Sequence, residues 1–234
     1  MEDTDIAAFF ERPADTNKGS YGKLLIVAGS ENMAGAAALS ARAAYRTGCG
    51  LVKVFTHENN RTVVLTHVPE AVMVTYKDIA DIKEKLAGEL DWADCVVAGP
   101  GLSKSDTAKE IVAEMIAYQP KREKRLPVLL DADALNIIAE NRKLLSGIAE
   151  NEGSSKQYVY TPHMGEAARL SGKSIAQLKE TSCESAKELA QKLCGICVLK
   201  DAATVISDGR HIYINTSGNS GMSTAGAGDT LTGI

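Results

Sequence analysis

The sequence predicts an α/β protein with a mostly parallel sheet covered by helices on both faces. Three observations lead there. Short apolar runs of strand length alternate with longer amphipathic stretches along the chain. Most of the strand-like runs are continuously apolar, as parallel strands buried on both faces require. And 234 residues, 44% hydrophobic and 24% charged, suffice for one sizeable core.

Each element follows in order. Leu24-Leu25-Ile26-Val27-Ala28 reads as a buried strand. The Ala-rich residues 33–46 read as a helix, because alanine is the strongest helix former. Residues 51–55 and 71–74 are strands, and 79–86 a helix. Strand-then-helix follows three more times, at 95–98 with 107–118, 128–130 with 134–140, and 158–160 with 165–170. Helix 183–193 then leads into strand 196–199. Residues 204–207 and 211–214 flank Asp208-Gly209 and predict an antiparallel hairpin with an Asp-Gly turn. The basic stretch 119–125 reads as a solvated loop or helix end, and 151–157 as a surface loop. Neither is long enough to divide domains. Residues 226–234 look like the opening turn of a helix without its body. We therefore expect further residues after Ile234 in the natural protein, and a longer version of the chain to be more stable.

Composition narrows the function. Lys and Arg number 26 against 30 Asp and Glu, a net charge of −4, so no basic excess favours nucleic acid. Aromatics are 5% with one Trp, which argues against stacking platforms for single strands. No apolar run approaches the ~20 residues of a membrane span. The first ten residues lack a basic region followed by an apolar core, so they do not read as a secretory signal. Five cysteines, an odd count, fit a reducing compartment and a cytoplasmic protein. Cys194 and Cys197 form a C-x-x-C without a second pair, and read as structural thiols.

In open α/β sheets ligands bind beyond the carboxyl ends of the strands. There the sequence places Gly29-Ser30, Gly99-Pro100-Gly101, Asp131-Ala132-Asp133, Thr161-Pro162-His163-Met164-Gly165-Glu166, Lys200-Asp201 and Gly226-Ala227-Gly228-Asp229. Glycines before a helix let backbone N–H groups converge on an anion. An Asp among them suits a base that takes a proton from a hydroxyl attacking a phosphoryl group, or a plain N-cap. Asp131 and Asp133 could hold Mg²⁺, or Asp133 could cap a helix with Asp131 in a turn. His163 and Glu166 are spaced as a capping arrangement, or as a donor to substrate and an orienter of metal-bound water. Lys200 could contact nucleotide phosphate, or simply lie at the surface. The segment 29–35 is neither a Walker loop nor a dinucleotide fingerprint, and reads as tight helix–strand packing.

Together with Lys18-Gly19-Ser20-Tyr21-Gly22-Lys23, Met33-Ala34-Gly35-Ala36-Ala37, Thr47-Gly48-Cys49-Gly50-Leu51-Val52, Pro69-Glu70-Ala71 and Asp131-Ala132-Asp133-Ala134-Leu135-Asn136, these motifs resemble the NAD(P)H-hydrate dehydratase family of the ribokinase-like superfamily. The likeness runs from about residue 12 to residue 234, with the motifs in family order. It implies a ribokinase-like three-layer α/β/α sandwich whose C-terminal helices are missing here, spanning residues 18–234. Residues 1–17 would be an extension, similar to the linker that joins an epimerase domain in fused members. The implied reaction phosphorylates the ring hydroxyl of hydrated NADH or NADPH from ADP or ATP, after which phosphate leaves. Asp229 matches the base, and Gly226, Ala227 and Gly228 the anion hole. Ala36, Gly101, His163 and Asp229 fall where the family contacts the hydrate. Lys200, Asp201, Ala202, Ala203, Thr204 and Gly228 fall where it contacts the nucleotide. Glu166 matches the metal-associated glutamate, with Asp131 a second candidate for Mg²⁺. The resemblance also implies a homo-oligomer, commonly a tetramer, and a monovalent cation such as K⁺. Asp201 departs from the usual Gly after the Lys, and we expect it to point away from phosphate.

Two other readings compete. A small-molecule kinase of the same fold, acting on a hydroxymethylpyrimidine or thiazole, would leave a stable phosphorylated acceptor. A nucleotide-binding module without turnover would bind and release no phosphate.

Overall fold

The structure is a computed structural model that describes residues 11–118, 126–150 and 156–234. The stretch 119–125, most of the expected loop at 151–157, and residues 1–10 lie outside the described residues. Nine strands form one sheet in the order β3-β2-β1-β4-β5-β6-β7-β8-β9. They are β1 (Lys23–Val27), β2 (Leu51–His57), β3 (Val72–Tyr76), β4 (Cys95–Ala98), β5 (Leu126–Leu130), β6 (Lys156–Tyr160), β7 (Ile196–Leu199), β8 (Thr204–Ser207) and β9 (Ile212–Asn215). The first seven are parallel, and β8 and β9 are antiparallel additions, as expected. The hairpin differs in its turn. Its loop has four residues, Asp208 to His211, because the Asp208 carboxylate accepts from the Arg210 and His211 amides and closes a wider turn than a two-residue Asp-Gly one.

Helices α1 (Ala34–Thr47) and α2 (Arg61–His67) lie on one face. The other face carries α3 (Ile79–Trp92), α4 (Asp106–Ala117), α5 (Ala132–Glu140), α6 (Arg142–Glu150), α7 (Met164–Ser171), α8 (Ile175–Glu180) and α9 (Ser182–Lys192). A last helix, α10 (Ala227–Gly233), packs on α1. No helix among the described residues is long and apolar enough to cross a membrane. Helix α1 is Ala-rich and ends at Gly48, whose left-handed conformation returns its N–H to the Ala44 and Tyr45 carbonyls. Ser105 and Asp78 cap α4 and α3 through their side chains.

Alternate residues of each strand enter two cores. Leu25, Val27, Val96, Ala98, Val128 and Leu130 face α3 to α9. Leu24, Ile26, Ala28, Val52, Val54 and Val97 face α1 and α2. That second layer covers β3 through β4 and thins over β5 to β8, where Leu129, Val159 and Val198 are only half-buried.

The register explains why the candidate residues share one edge. Val27 pairs with Ala98, Ala98 with Leu130, and Leu130 with Tyr160. These four residues form one row, so the loops after them leave side by side. The backbone ladder continues past the strands. Gly99 N–H donates to Val27 C=O (3.1 Å), Asp131 N–H to Ala98 C=O (3.0 Å) and Thr161 N–H to Leu130 C=O (3.1 Å). The strand order reverses between β1 and β4, which makes their carboxyl ends the switch point where such sheets open a crevice.

Gly99 sits one residue beyond that row at φ +127°, and a Cβ there would overlap the Asp131 carbonyl oxygen. Gly99→Ala should cost about 3 kcal/mol, combining left-handed strain with displaced backbone. Urea denaturation is the check, and an unchanged midpoint would contradict the close approach.

Candidate active site

At the edge of β5, Asp131 precedes α5 and Ala132 takes φ +50°, a left-handed conformation unusual for a residue with a side chain. This twist sends the two carboxylates apart. Asp131, 2% exposed, accepts from Lys200 Nζ at 2.8 Å. Asp133 accepts from Ser103 N–H at 2.7 Å. The capping expectation for this pair is not met. Asp133 lies in the first turn of α5 and not at its cap, while Asp131 holds the cap position without capping. Its charge is committed to a lysine 69 residues away.

Lys200 follows β7 and reaches this edge because its N–H donates to Pro162 C=O at 2.8 Å, bridging it to His163. Next along, Asp201, Ala202 and Ala203 form an exposed bend. Thr204 Oγ1 donates to the Asp201 carbonyl (3.4 Å) and begins β8.

His163 and Glu166 do form a capping box at the start of α7. Gly165 N–H donates to His163 Nδ1 (2.9 Å), and His163 N–H donates to Glu166 Oε2 (2.9 Å). With Nδ1 accepting an amide proton, the neutral ring carries its own proton on Nε2, 3.3 Å from Glu166 Oε1. Burial, then the Lys200 and Arg169 charges, hold the imidazole below its ordinary pKa. Glu166 is 4% exposed, and burial, with a contribution from Asp131, raises its carboxyl to about 7.

The sign of the resulting pH dependence is fixed. Between about pH 4.5 and about 7 the native state holds a Glu166 proton that the unfolded chain has lost, so this group makes stability fall as pH rises through that window. His163, depressed below 6.5, acts in the opposite sense in acid. Glu166→Gln should flatten the fall in Tm between these pH values, measured without added divalent cation. A variant with the wild-type slope would exclude Glu166 as its source.

Helix α10 brings in the last group. Gly226 and Ala227 open it, and Gly228 stands about equally far from Asp131 and Lys200, since a Cβ on it would lie 3.8 Å from each charged atom. Asp229 is half-buried, and burial, then the Asp131 charge, raises its pKa while Lys200 opposes. The helix is seated by a hydroxyl pair that sequence reasoning missed. Ser40 Oγ lies 2.8 Å from the Asp229 carbonyl and 3.0 Å from Thr232 Oγ1, and both side chains are buried. The only available signal was Ser40 itself, a hydroxyl inside an alanine face.

At the switch point Gly101 packs against Ala36, leaving no room for a side chain: a Cβ would stand 2.8 Å from the Ala36 methyl. Both residues are buried. The structure thus draws Asp131, His163, Glu166, Lys200, Gly228 and Asp229 together, with Ala36 and Gly101 in the adjoining switch point. Ala202 and Ala203 stay on its exposed rim.

Among the described residues no group of three or more His, Cys, Asp or Glu could cage a metal. Asp131 and Glu166 are close enough for the Asp131 charge to help raise the Glu166 carboxyl. That donor set fits Mg²⁺, which takes one or two carboxylates and completes its shell with water and phosphate. All five thiols are free, Cys197 is buried in β7, and Cys194 does not pair with it.

The model of the NAD(P)H-hydrate dehydratase family matches residues 24–234. The chain is 37% identical to the ADP-dependent (S)-NAD(P)H-hydrate dehydratase of Neisseria meningitidis, over 97% of this chain and 72% of that one. It is 35% identical to the bifunctional NAD(P)H-hydrate repair enzyme Nnr of Vibrio cholerae, over 95% of this chain and 41% of that one. The chain thus spans about two fifths of the length of such bifunctional relatives. A crystal structure of the Bacillus subtilis ADP/ATP-dependent NAD(P)H-hydrate dehydratase, co-crystallised with ATP/Mg²⁺, superposes with TM-score 0.76 at 30% identity, covering 95% of this chain and 74% of that one.

Proposed function

Because the chain belongs to the NAD(P)H-hydrate dehydratase family, we propose that its carboxyl-edge crevice dehydrates hydrated NADH or NADPH at the expense of ADP or ATP. The observation that supports this best is the meeting of Asp229, the Gly226–Gly228 turn and the Lys200–Asp131 pair at one edge.

The chemistry begins with a poor leaving group. Hydroxide departs reluctantly from the hydrated ring, whereas phosphate departs readily. Asp229 takes the proton of the ring hydroxyl as its oxygen attacks the terminal phosphoryl group of the nucleotide. Its raised pKa strengthens it as a base. Of the first amides of α10, Ala227 N–H already donates to the Thr224 C=O at 3.2 Å, which leaves those of Gly228 and Asp229, without partners within the helix, to meet the transferred group. Lys200 stands where it can meet nucleotide phosphate, with the 201–204 turn beside it. His163 presents a neutral ring to the hydrate, whose nicotinamide lies along Ala36 and Gly101. Glu166 and Asp131 would hold Mg²⁺, which supplies charge neutralisation for the phosphates. Loss of phosphate then restores the dihydronicotinamide, so that hydrate and ATP yield NAD(P)H, ADP and phosphate.

We also assign residues 18–234 to this domain, place the protein in the cytoplasm, and, from the family resemblance, read residues 6–17 as a linker to an epimerase; the Vibrio cholerae and Escherichia coli relatives are named as bifunctional repair enzymes. A homo-oligomer, by resemblance a tetramer, is part of the same reading.

Incubation with hydrated NADH, Mg²⁺ and either ADP or ATP should restore the near-ultraviolet absorbance of the dihydronicotinamide and release phosphate. A stable phosphorylated acceptor without recovered absorbance would move the reading to a small-molecule kinase. Nucleotide binding without phosphate release would move it to a module without turnover.

A further inference from the structure

We infer that Asn60 is a positioning residue for the wall that receives the hydrate, acting from beneath the switch point through two successive loops. The inference deepens the proposed function and rests on it for the identity of the ligand.

Asn60 stands at the N-cap of α2, where asparagine commonly bonds its own helix. It makes no such bond. It is 1% exposed, and its amide turns inward instead. Nδ2 lies 3.1 Å from the Gly29 carbonyl, 2.9 Å from the Ser30 carbonyl and 2.8 Å from Thr56 Oγ1. Thr56, fully buried on β2, donates to the same Gly29 carbonyl at 2.9 Å. Two buried side chains outside the crevice thus grip the loop that follows β1.

That loop in turn holds the one after β4. Gly29 N–H donates to Pro100 C=O (2.9 Å), and Ser30 N–H donates to Gly101 C=O (2.6 Å). Met33 N–H closes back on Ser30 C=O (3.0 Å), which starts α1 and sets Ala36 against Gly101. The route from Asn60 to the Ala36–Gly101 contact is therefore hydrogen-bonded throughout. A residue that merely filled the core would have no need of an amide whose two N–H groups are shared among three acceptors in this line.

The nucleotide end of the crevice is built differently, from Lys200, Asp131 and α10, and among the described residues none of these hydrogen-bonds to the Asn60 side chain. A fault at Asn60 should consequently weaken the hydrate and spare the nucleotide. Asn60→Asp keeps the shape and removes the donor. At neutral pH it sets a carboxylate against two carbonyl oxygens, and in acid its protonated form can donate again to one of them.

The expected result with Asn60→Asp is a hydrated-NADH Kd raised about tenfold or more at neutral pH, an ADP Kd within about twofold of wild type, and partial recovery of hydrate affinity as pH falls. Amide exchange should quicken together in segments 29–33 and 99–102. Thr56→Val should reproduce the pattern more weakly, and Thr56→Ser should not, which keeps the test decisive if Asn60→Asp folds poorly. Unchanged exchange, quickening confined to the first loop, or equal loss of both ligands would overturn the inference. A wild type that binds no hydrate would overturn the functional reading instead, and exchange in the two loops would still decide whether Asn60 positions them.

Discussion

Asp229→Asn removes nucleotide-dependent restoration of the dihydronicotinamide, by about 10³-fold in kcat, or about 4 kcal/mol in the barrier, and leaves the fold at least as stable. The two halves of this expectation have one cause. Asp229 is raised in pKa by burial and by the Asp131 charge, which means that the fold disfavours its ionised form. The same disfavour makes it a stronger base. Asparagine keeps the shape, loses the ability to accept a proton, and relieves the repulsion from Asp131. The Ser40 and Thr232 bonds that seat α10 go to the Asp229 backbone carbonyl, so the substitution does not touch them. Absorbance recovery and thermal melting, run on the same preparation, check both halves. Activity within tenfold of wild type would remove Asp229 from the role of base. Lost activity with a lower Tm would reduce its role to holding α10 in place.

Much of this arrangement was legible before the structure. The alternation of apolar and amphipathic runs pointed to the parallel sheet, and the rule that ligands gather at carboxyl ends located the edge. His163 and Glu166 lie three residues apart, so their capping box was local and readable. What escaped were pairings across long separations. Asp131 meets Lys200 from 69 residues away, and Ser40 meets Thr232 from 192. No periodicity encodes such partners, because they depend on which strands become neighbours. Three short helices, α2, α6 and α8, also went unforeseen. The hairpin turn was misjudged for a chemical reason. Asp208 bonds two amides beyond Gly209 and widens the loop that Asp-Gly alone would close in two residues.

The long-range pair supplies the second strong expectation. Lys200→Met leaves the Asp131 carboxylate without its partner while its side chain is only 3% exposed. Breaking a fully buried pair costs about 3–5 kcal/mol, because a charge is stranded out of water. The Lys200 side chain is 20% exposed and opens onto the crevice, so water screens part of that, and about 2 kcal/mol is the expected loss. Nucleotide affinity should fall about 10- to 100-fold with the loss of a charged donor to phosphate. The two effects separate in the double variant. Adding Asp131→Asn to Lys200→Met removes the stranded charge, so most of the stability should return, giving a coupling that a double-mutant cycle reads directly. Measured without Mg²⁺, so that the loss of Asp131 as a metal holder does not enter, nucleotide affinity should stay low, because the lysine is still missing. Urea denaturation and ADP titration of the four proteins decide the matter. If stability and affinity return together, Lys200 serves only to hold Asp131. If neither falls in the single variant, the pair is an ordinary surface contact, and phosphate recognition at this edge belongs to the backbone of α10 alone.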